Sequence, residues 1–255
     1  MEQQQEYQKP RPRLRADERI VAASRAGWEE WRAERLAAVT SPEGNLALIE
    51  TRWLTDGEEV EPVSASAGLP RTVAVTAVRR TDLATGGAEH GLRFWDSASP
   101  AIRAFEGIDV FPYNPEWVLE AEYTPVPGGR LVPFEHIRDN GGSRDLAVPG
   151  DLTFTLDDVD GEAREYTLHA FDDEGTLLLV FGDLTNGQDS YGAGRFLFVT
   201  PIGEGRALLD FNRAFVPPCG FSSEFNCPMP PPQNRFPFRI EAGEKRPLFR
   251  AGFTH

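Results

Sequence analysis

The sequence predicts a mainly β fold: an antiparallel β-sandwich or barrel-like meander, with an N-terminal helix and a Pro-rich C-terminal strap. Three observations lead there. Runs of alternating or continuous apolar residues, each of strand length, recur from about residue 45 to residue 212. Short turns rich in Gly, Pro, Asn and Asp separate them, with no helical segment between. Beyond them, Pro217 to Pro237 is too rich in proline to form a central strand.

Residues 1–15, Gln-rich and then Lys9-Pro10-Arg11-Pro12-Arg13, read as a disordered tail, and residues 16–255 as a single domain. A helix is expected over about 17–38. Ile20, Val21, Trp28, Trp31 and Leu36 recur at near-helical spacing, with Glu29, Glu30, Arg32 and Glu34 between them. Two tryptophans three apart on one face read as an anchor against the body of the protein. The strand candidates follow. Residues 45–54 are closed by Asp56-Gly57, and residues 71–80 set Val73, Val75 and Ala77 opposite Thr72, Ala74 and Thr76. Residues 90–96 and 117–126 come next. In 152–158, Leu152, Phe154 and Leu156 share one face, and 164–173 pairs with it across the hairpin dipeptide Asp160-Gly161. Residues 175–185, 194–201 and 205–212 complete the series. The strap is expected to lie extended and polyproline-like on the surface.

Charge narrows the partners. Asp and Glu number 40 against 26 Lys and Arg, a net −14. Phosphate binding needs a basic surface, so neither nucleic acid nor an anionic membrane is an expected partner. No apolar run approaches the roughly 20 residues that span a bilayer. The N-terminus lacks the apolar region of a secretory signal, which points to a cytoplasmic protein.

Three segments concentrate polar residues with Gly or Pro. In the first, Phe181 to Phe196, glycines at 182, 187, 192 and 194 allow positive φ and close backbone approach. Backbone N–H groups there, beside Arg195, are suited to a carboxylate or phosphate. The same residues also serve a wide hairpin with Arg195 paired to Asp183 or Asp189. In the second, Leu209 to Arg213, strand alternation places Asp210 and Asn212 together opposite Leu209 and Phe211. An Asp there is a candidate general base if burial raises its pKa, or a member of a salt-bridge or capping network. In the third, seven residues separate Cys219 from Cys227. Free buried thiols, a disulfide and a metal site are the readings open to them, with free thiols favoured in a reducing compartment. Two thiolates fall short of four ligands, and no histidine lies nearby in sequence, so no metal is expected.

Read together, FGDLTNGQDSYGAGRFL (181–197), LLDFNRAFVPPC (208–219), CPMPPPQNRFP (227–237) and IEAGEK (240–245) resemble domain of unknown function family 1684. That family's pattern runs F-x-D-x-T-x-G-x-x-T-Y-x-x-G-R-x-L, then L-D-F-N-x-A-Y-N-P-x-C, C-P-x-P-P-x-x-N and A-G-E-K. Upstream, Arg93-Phe94-Trp95-Asp96, Arg103 to Gly107 and Phe111-Pro112 resemble its R-x-x-D, R-x-F-x-G and F-P segments. Trp31-Arg32 with Arg35 resembles its W-R-x-x-R helix. Ser190 stands where the family has Thr, and Ala214-Phe215-Val216-Pro217 where it has A-Y-N-P. The resemblance implies no reaction, but it draws attention to the polar positions of these motifs.

The expectation is a soluble enzyme acting on a small polar or anionic metabolite through an acid–base site on the β scaffold. Asp183, Tyr191 and Asp210 are its candidate catalytic residues. Thr185, Arg195, Asn212, Arg213 and Asn234 are its candidate ligand-binding residues. The cofactor is left open. The alternative is a non-catalytic module binding a small molecule or a protein on the same scaffold. A third possibility makes these residues the hydrogen-bonding network that locks the strap.

Overall fold

A computed structural model describes residues 11–12, 16–55, 58, 60–157 and 162–253. The predicted turns at Asp56-Gly57 and Asp160-Gly161, and most of the predicted tail, lie outside the described residues. In chain order the elements are β1 (Arg11–Pro12), α1 (Glu18–Val39), β2 (Leu48–Trp53), α2 (Pro62–Ala65), β3 (Val73–Thr81), β4 (Ala88–Asp96) and α3 (Pro100–Ala104). Then come β5 (Phe105–Val110), β6 (Val118–Glu135), β7 (Ser143–Asp157), β8 (Ala163–Asp173), β9 (Thr176–Phe181), β10 (Arg195–Gly203), β11 (Arg206–Asp210) and β12 (Glu244–Phe249).

The fold is mainly β and antiparallel, as the alternation predicts. Strands β7-β6-β11-β10-β9-β8 hydrogen-bond in that order, and β8 pairs back to β7, closing a six-stranded barrel. Closure leaves the barrel no free edge. β4 forms a three-stranded sheet with β2 and β3, and β5 pairs with β12.

The alternation sorts two cores. Leu119, Ala121, Leu152, Phe154, Leu168, Leu179, Leu197 and Leu209 fill one cluster. Their neighbours of opposite parity, Phe171, Leu178, Val180 and Phe196, fill a second with Phe134, Val148, Phe215 and both cysteines. β9 is apolar from Leu177 onward because both its faces are covered there, and four of its six residues are buried. Helix α1 starts at the cap Asp17, whose side chain accepts from the Arg19 N–H. Trp28 anchors it, as expected, donating from Nε1 to the Asn212 carbonyl at 3.2 Å. Trp31 packs on the second cluster. Leu36, counted with the apolar face, is 37% exposed.

Three expectations need correction. The strap does not lie on the surface. Pro217 and Pro231 have extended, polyproline-like backbone, but each leads into a 3₁₀ turn, at Pro218–Gly220 and Pro232–Asn234. Cys219, Phe221, Cys227, Asn234 and Phe236 are all buried. Proline lacks a ladder donor, but that forbids burial only if the flanking backbone groups go unpaired. Here they are paired: Phe236 N–H donates to the Gly182 carbonyl at 2.8 Å and Met229 N–H to that of Glu135 at 2.7 Å. Phe236 and Phe238 then join Phe154, Phe181 and Phe211 in the first core.

The second correction concerns length. β6 does not stop at residue 126 but runs to Glu135, through a register shift between Pro125 and Arg130. Gly128 and Gly129, at φ of 78° and 69°, make that bulge possible. The third concerns Asp210 and Asn212. The strand ends at Asp210, and Phe211–Arg213 form a 3₁₀ turn, so strand parity does not set these side chains.

One buried histidine, His136, and one partly buried, His169, give a pH prediction. Burial lowers the pKa of His136 below its ordinary 6.5 and does the same for His169. The unfolded chain therefore takes up these protons first, and their contribution, complete above the unfolded pKa, is lost as pH falls through the folded values. Tm should fall as pH drops below the ordinary histidine value of 6.5, and His136→Gln should flatten that fall. A pH-independent difference between the two proteins would contradict this origin.

Candidate functional site

The first polar segment closes on itself and on the strap. Asn186 caps the turn after β9: its Oδ1 accepts from Asp183 N–H at 2.7 Å, and its Nδ2 donates to Ser190 Oγ and the Tyr191 carbonyl. Thr185 donates to Asp183 Oδ1 at 2.7 Å. Asp183 Oδ2 accepts from Ile240 N–H and from Arg195, whose Nη2 lies 3.3 Å away. Arg195 sits at the start of β10 and is fully buried. It also donates to the carbonyls of Ile240 and Ala242 and lies 5.1 Å from the ring centre of Phe181. Burial pulls its pKa down, and the Asp183 carboxylate opposes that pull. Gly194 is required where the turn enters β10. At φ 98°, a Cβ there would meet Pro230 Cγ at 2.5 Å and the Phe181 carbonyl oxygen at 2.7 Å.

Asn234 does a related task. Its Oδ1 accepts from His169 N–H at 2.9 Å, and its Nδ2 donates to the His169 and Val180 carbonyls, each at 2.8 Å. Tyr191 donates its hydroxyl to the Cys219 carbonyl at 3.1 Å, and burial raises its pKa well above the ordinary tyrosine value. Cys219 and Cys227 are free and buried.

The second segment forms a separate cluster with α1 and the loop before β6. Asp210 Oδ2 accepts from Ser24 Oγ at 2.5 Å, and its Oδ1 accepts from the backbone and side-chain N–H groups of Asn212. Arg213 Nε lies 3.4 Å from Oδ2. The Asn212 carboxamide pairs with the backbone of Asn114 in both directions. The Tyr113 hydroxyl lies 3.0 Å from Ser24 Oγ. Burial first, then the Asp210 charge, raises the Tyr113 pKa, against the effect of its hydrogen bond with Ser24. Tyr113 also lines an open cavity of about 680 Å³ with Ala16, Glu18, Val21, Ala22, Arg25 and Pro115.

The structure thus brings Asp183, Thr185 and Arg195 together around residues 240–242. It sends Asn234 to the gap between β8 and β9, and Tyr191 to the cysteine loop. Asp210, Asn212 and Arg213 lie with the helix, and no hydrogen bond among the described residues joins their cluster to Asp183. Ser24, Arg25 and Tyr113 escaped sequence reasoning. Ser24 and Arg25 sit among small and charged helix residues that carry no motif. For Tyr113 a signal existed, because Tyr113-Asn114 is enclosed by Pro112 and Pro115. Glu244, in the A-G-E-K motif, is bound by both forks of Arg35, at 2.9 and 3.1 Å, and by Val216 N–H at 2.8 Å. Arg35 closes the W-R-x-x-R pattern, so two motifs 209 residues apart meet in one ion pair.

These features define a class: a closed antiparallel barrel whose C-terminal segment is threaded into the core and pinned by buried Asp, Asn and Arg side chains. The chain belongs to the family described as "Protein of unknown function (DUF1684)", whose model matches residues 103–245. That span holds the barrel strands and the strap; α1 and β2 to β4 precede it. The chain is also similar to an uncharacterized protein of Haloarcula marismortui, solved by solution NMR. The identity is 34% over 55% of this chain and 77% of that one, with a TM-score of 0.43. No curated protein matches the chain. No helix among the described residues is long and apolar enough to cross a membrane.

Proposed function

We propose that the protein binds, without turning over, a small monocarboxylate with an apolar body, in the cavity between α1 and Tyr113. The observation that carries this reading is the lining. Ala16, Val21, Ala22 and Pro115 offer apolar walls, and the Arg25 guanidinium lies 4.8 Å from the centre of the Tyr113 ring. Arg25 has no ion pair among the described residues, so its charge is available to a ligand carboxylate. The Tyr113 hydroxyl, backed by Ser24 and Asp210, gives the cavity a fixed polar point. A cavity of this volume suits a small molecule.

Binding is favoured over acid–base catalysis by the state of the carboxylates. The Asp183 and Asp210 side chains are 0% and 7% exposed, and every oxygen of both accepts from the protein. A general base needs reach to a substrate proton. Two unpaired thiols support a reducing, cytoplasmic location.

Titration calorimetry with octanoate and, in parallel, octanol tests the reading. Octanoate should bind and octanol should bind at least about tenfold more weakly, and Arg25→Ala should weaken octanoate by about tenfold. Failure of octanoate to bind, or equal binding by the Arg25→Ala protein, would overturn it.

A further inference from the structure

We infer that Cys219 and Cys227 are a peroxide-oxidisable dithiol, whose disulfide would staple the loop that clamps the three-stranded sheet onto the barrel. The geometry comes first. Cys227 Sγ accepts from the Cys219 N–H at 3.3 Å, so the Cys227 sulfur lies against the Cys219 backbone, and both side chains sit in one buried cluster. The loop between them is the clamp. Ser222 Oγ donates to the Leu48 carbonyl at 2.8 Å, and Thr51 N–H donates to Glu224 Oε2 at 2.7 Å, both on β2. Phe225 packs on Trp95 of β4 with ring centres 6.2 Å apart. On the other side, Ile137 N–H donates to the Cys227 carbonyl at 3.0 Å, and the Tyr191 hydroxyl donates to that of Cys219.

The surroundings divide the labour between the two sulfurs. The hydrogen bond from Cys227 lowers the Cys219 pKa, while Cys227 is raised by the same bond and by burial. Arg93 adds positive charge beside Cys227 and stacks on Phe225 at 5.3 Å; its Nε has no hydrogen-bond partner. Cys219 is also the slightly more exposed of the two, 8% against 6%, so it attacks and Cys227 resolves. The Cys219 thiolate attacks one oxygen of hydrogen peroxide. The O–O bond breaks, and hydroxide leaves and takes a proton to become water, giving a sulfenic acid. Cys227, losing its proton, then attacks the Cys219 sulfur. The S–S bond forms, the S–O bond breaks and a second water leaves. Two thiols are oxidised and one peroxide is reduced to two waters.

The test treats the full chain with stoichiometric hydrogen peroxide. The expected product is a monomer that has lost the mass of two hydrogens, with a peptide crosslinked between Cys219 and Cys227 and full reversal by dithiothreitol. Amide exchange at Thr51 should slow in the oxidised protein, because the clamp that covers it no longer opens. Cys227→Ser should accumulate a dimedone-reactive sulfenic acid at Cys219. Thiols that survive an excess of peroxide, crosslinks only between chains, or unchanged exchange at Thr51 would each overturn the proposal. The wild-type mass and exchange data decide the matter even if the variant fails to fold.

Discussion

Arg195→Met is expected to destabilise the fold by about 3–5 kcal/mol, the range found when one partner of a buried ion pair is removed. The substitution keeps an apolar stem but removes the guanidinium, and with it the charge, the hydrogen bonds and the cation–π contacts to Phe181 and Phe111. It strips Asp183 of its counter-ion in a place where neither side chain has any exposure. It also leaves the Ile240 and Ala242 carbonyls without the donor that holds them. Equilibrium denaturation in urea measures the loss. Adding Asp183→Asn to Arg195→Met should recover part of it, since the stranded charge goes while the Thr185 and Ile240 hydrogen bonds keep an acceptor. A melt unchanged from wild type would return Arg195 to the ligand-binding role that its residue type and glycine-rich setting suggest.

That contrast shows how far the sequence can be read. Strand positions were legible wherever one face is apolar and the other polar, as at Leu152, Phe154 and Leu156, because burial of one face imposes period two. The closed barrel was less legible, since closure depends on the pairing of β7 with β8 and on strand register rather than on pattern. Pro125, Pro127, Gly128 and Gly129 hid the second half of β6, because a bulge and a strand end use the same residues. The strap was legible as non-strand but not as buried. Its prolines announce a missing donor, whereas the Asn234 and Phe236 contacts that compensate are fixed only by tertiary structure. The motif residues were all visible by type. Type alone does not say whether an Asp faces a ligand or a buried Arg, because the same hydrogen-bonding capacity serves both.

Asn234→Ala should cost about 3 kcal/mol, and the loss should be local before it is global. The paired part of β8 and β9 runs from Asp173 and Thr176 to Ala170 and Leu179. The next rung of that ladder would join His169 to Val180. There the carboxamide of Asn234 stands in for the missing strand contact, satisfying the N–H and C=O of His169 and the C=O of Val180. Alanine leaves all three groups buried without partners, each at a penalty of about 1–3 kcal/mol that relaxation partly offsets. Asn234→Asp should be worse, because it keeps the acceptor for His169 N–H but replaces both donations with a buried negative charge facing two carbonyl oxygens. The amide of His169 should lose its protection from hydrogen exchange in Asn234→Ala, while amides in the β6–β11 pairing on another side of the barrel keep theirs until global unfolding. Protection lost evenly around the barrel would mean that Asn234 supports the whole core. Protection retained at His169 would mean that the carboxamide is free to serve a ligand instead.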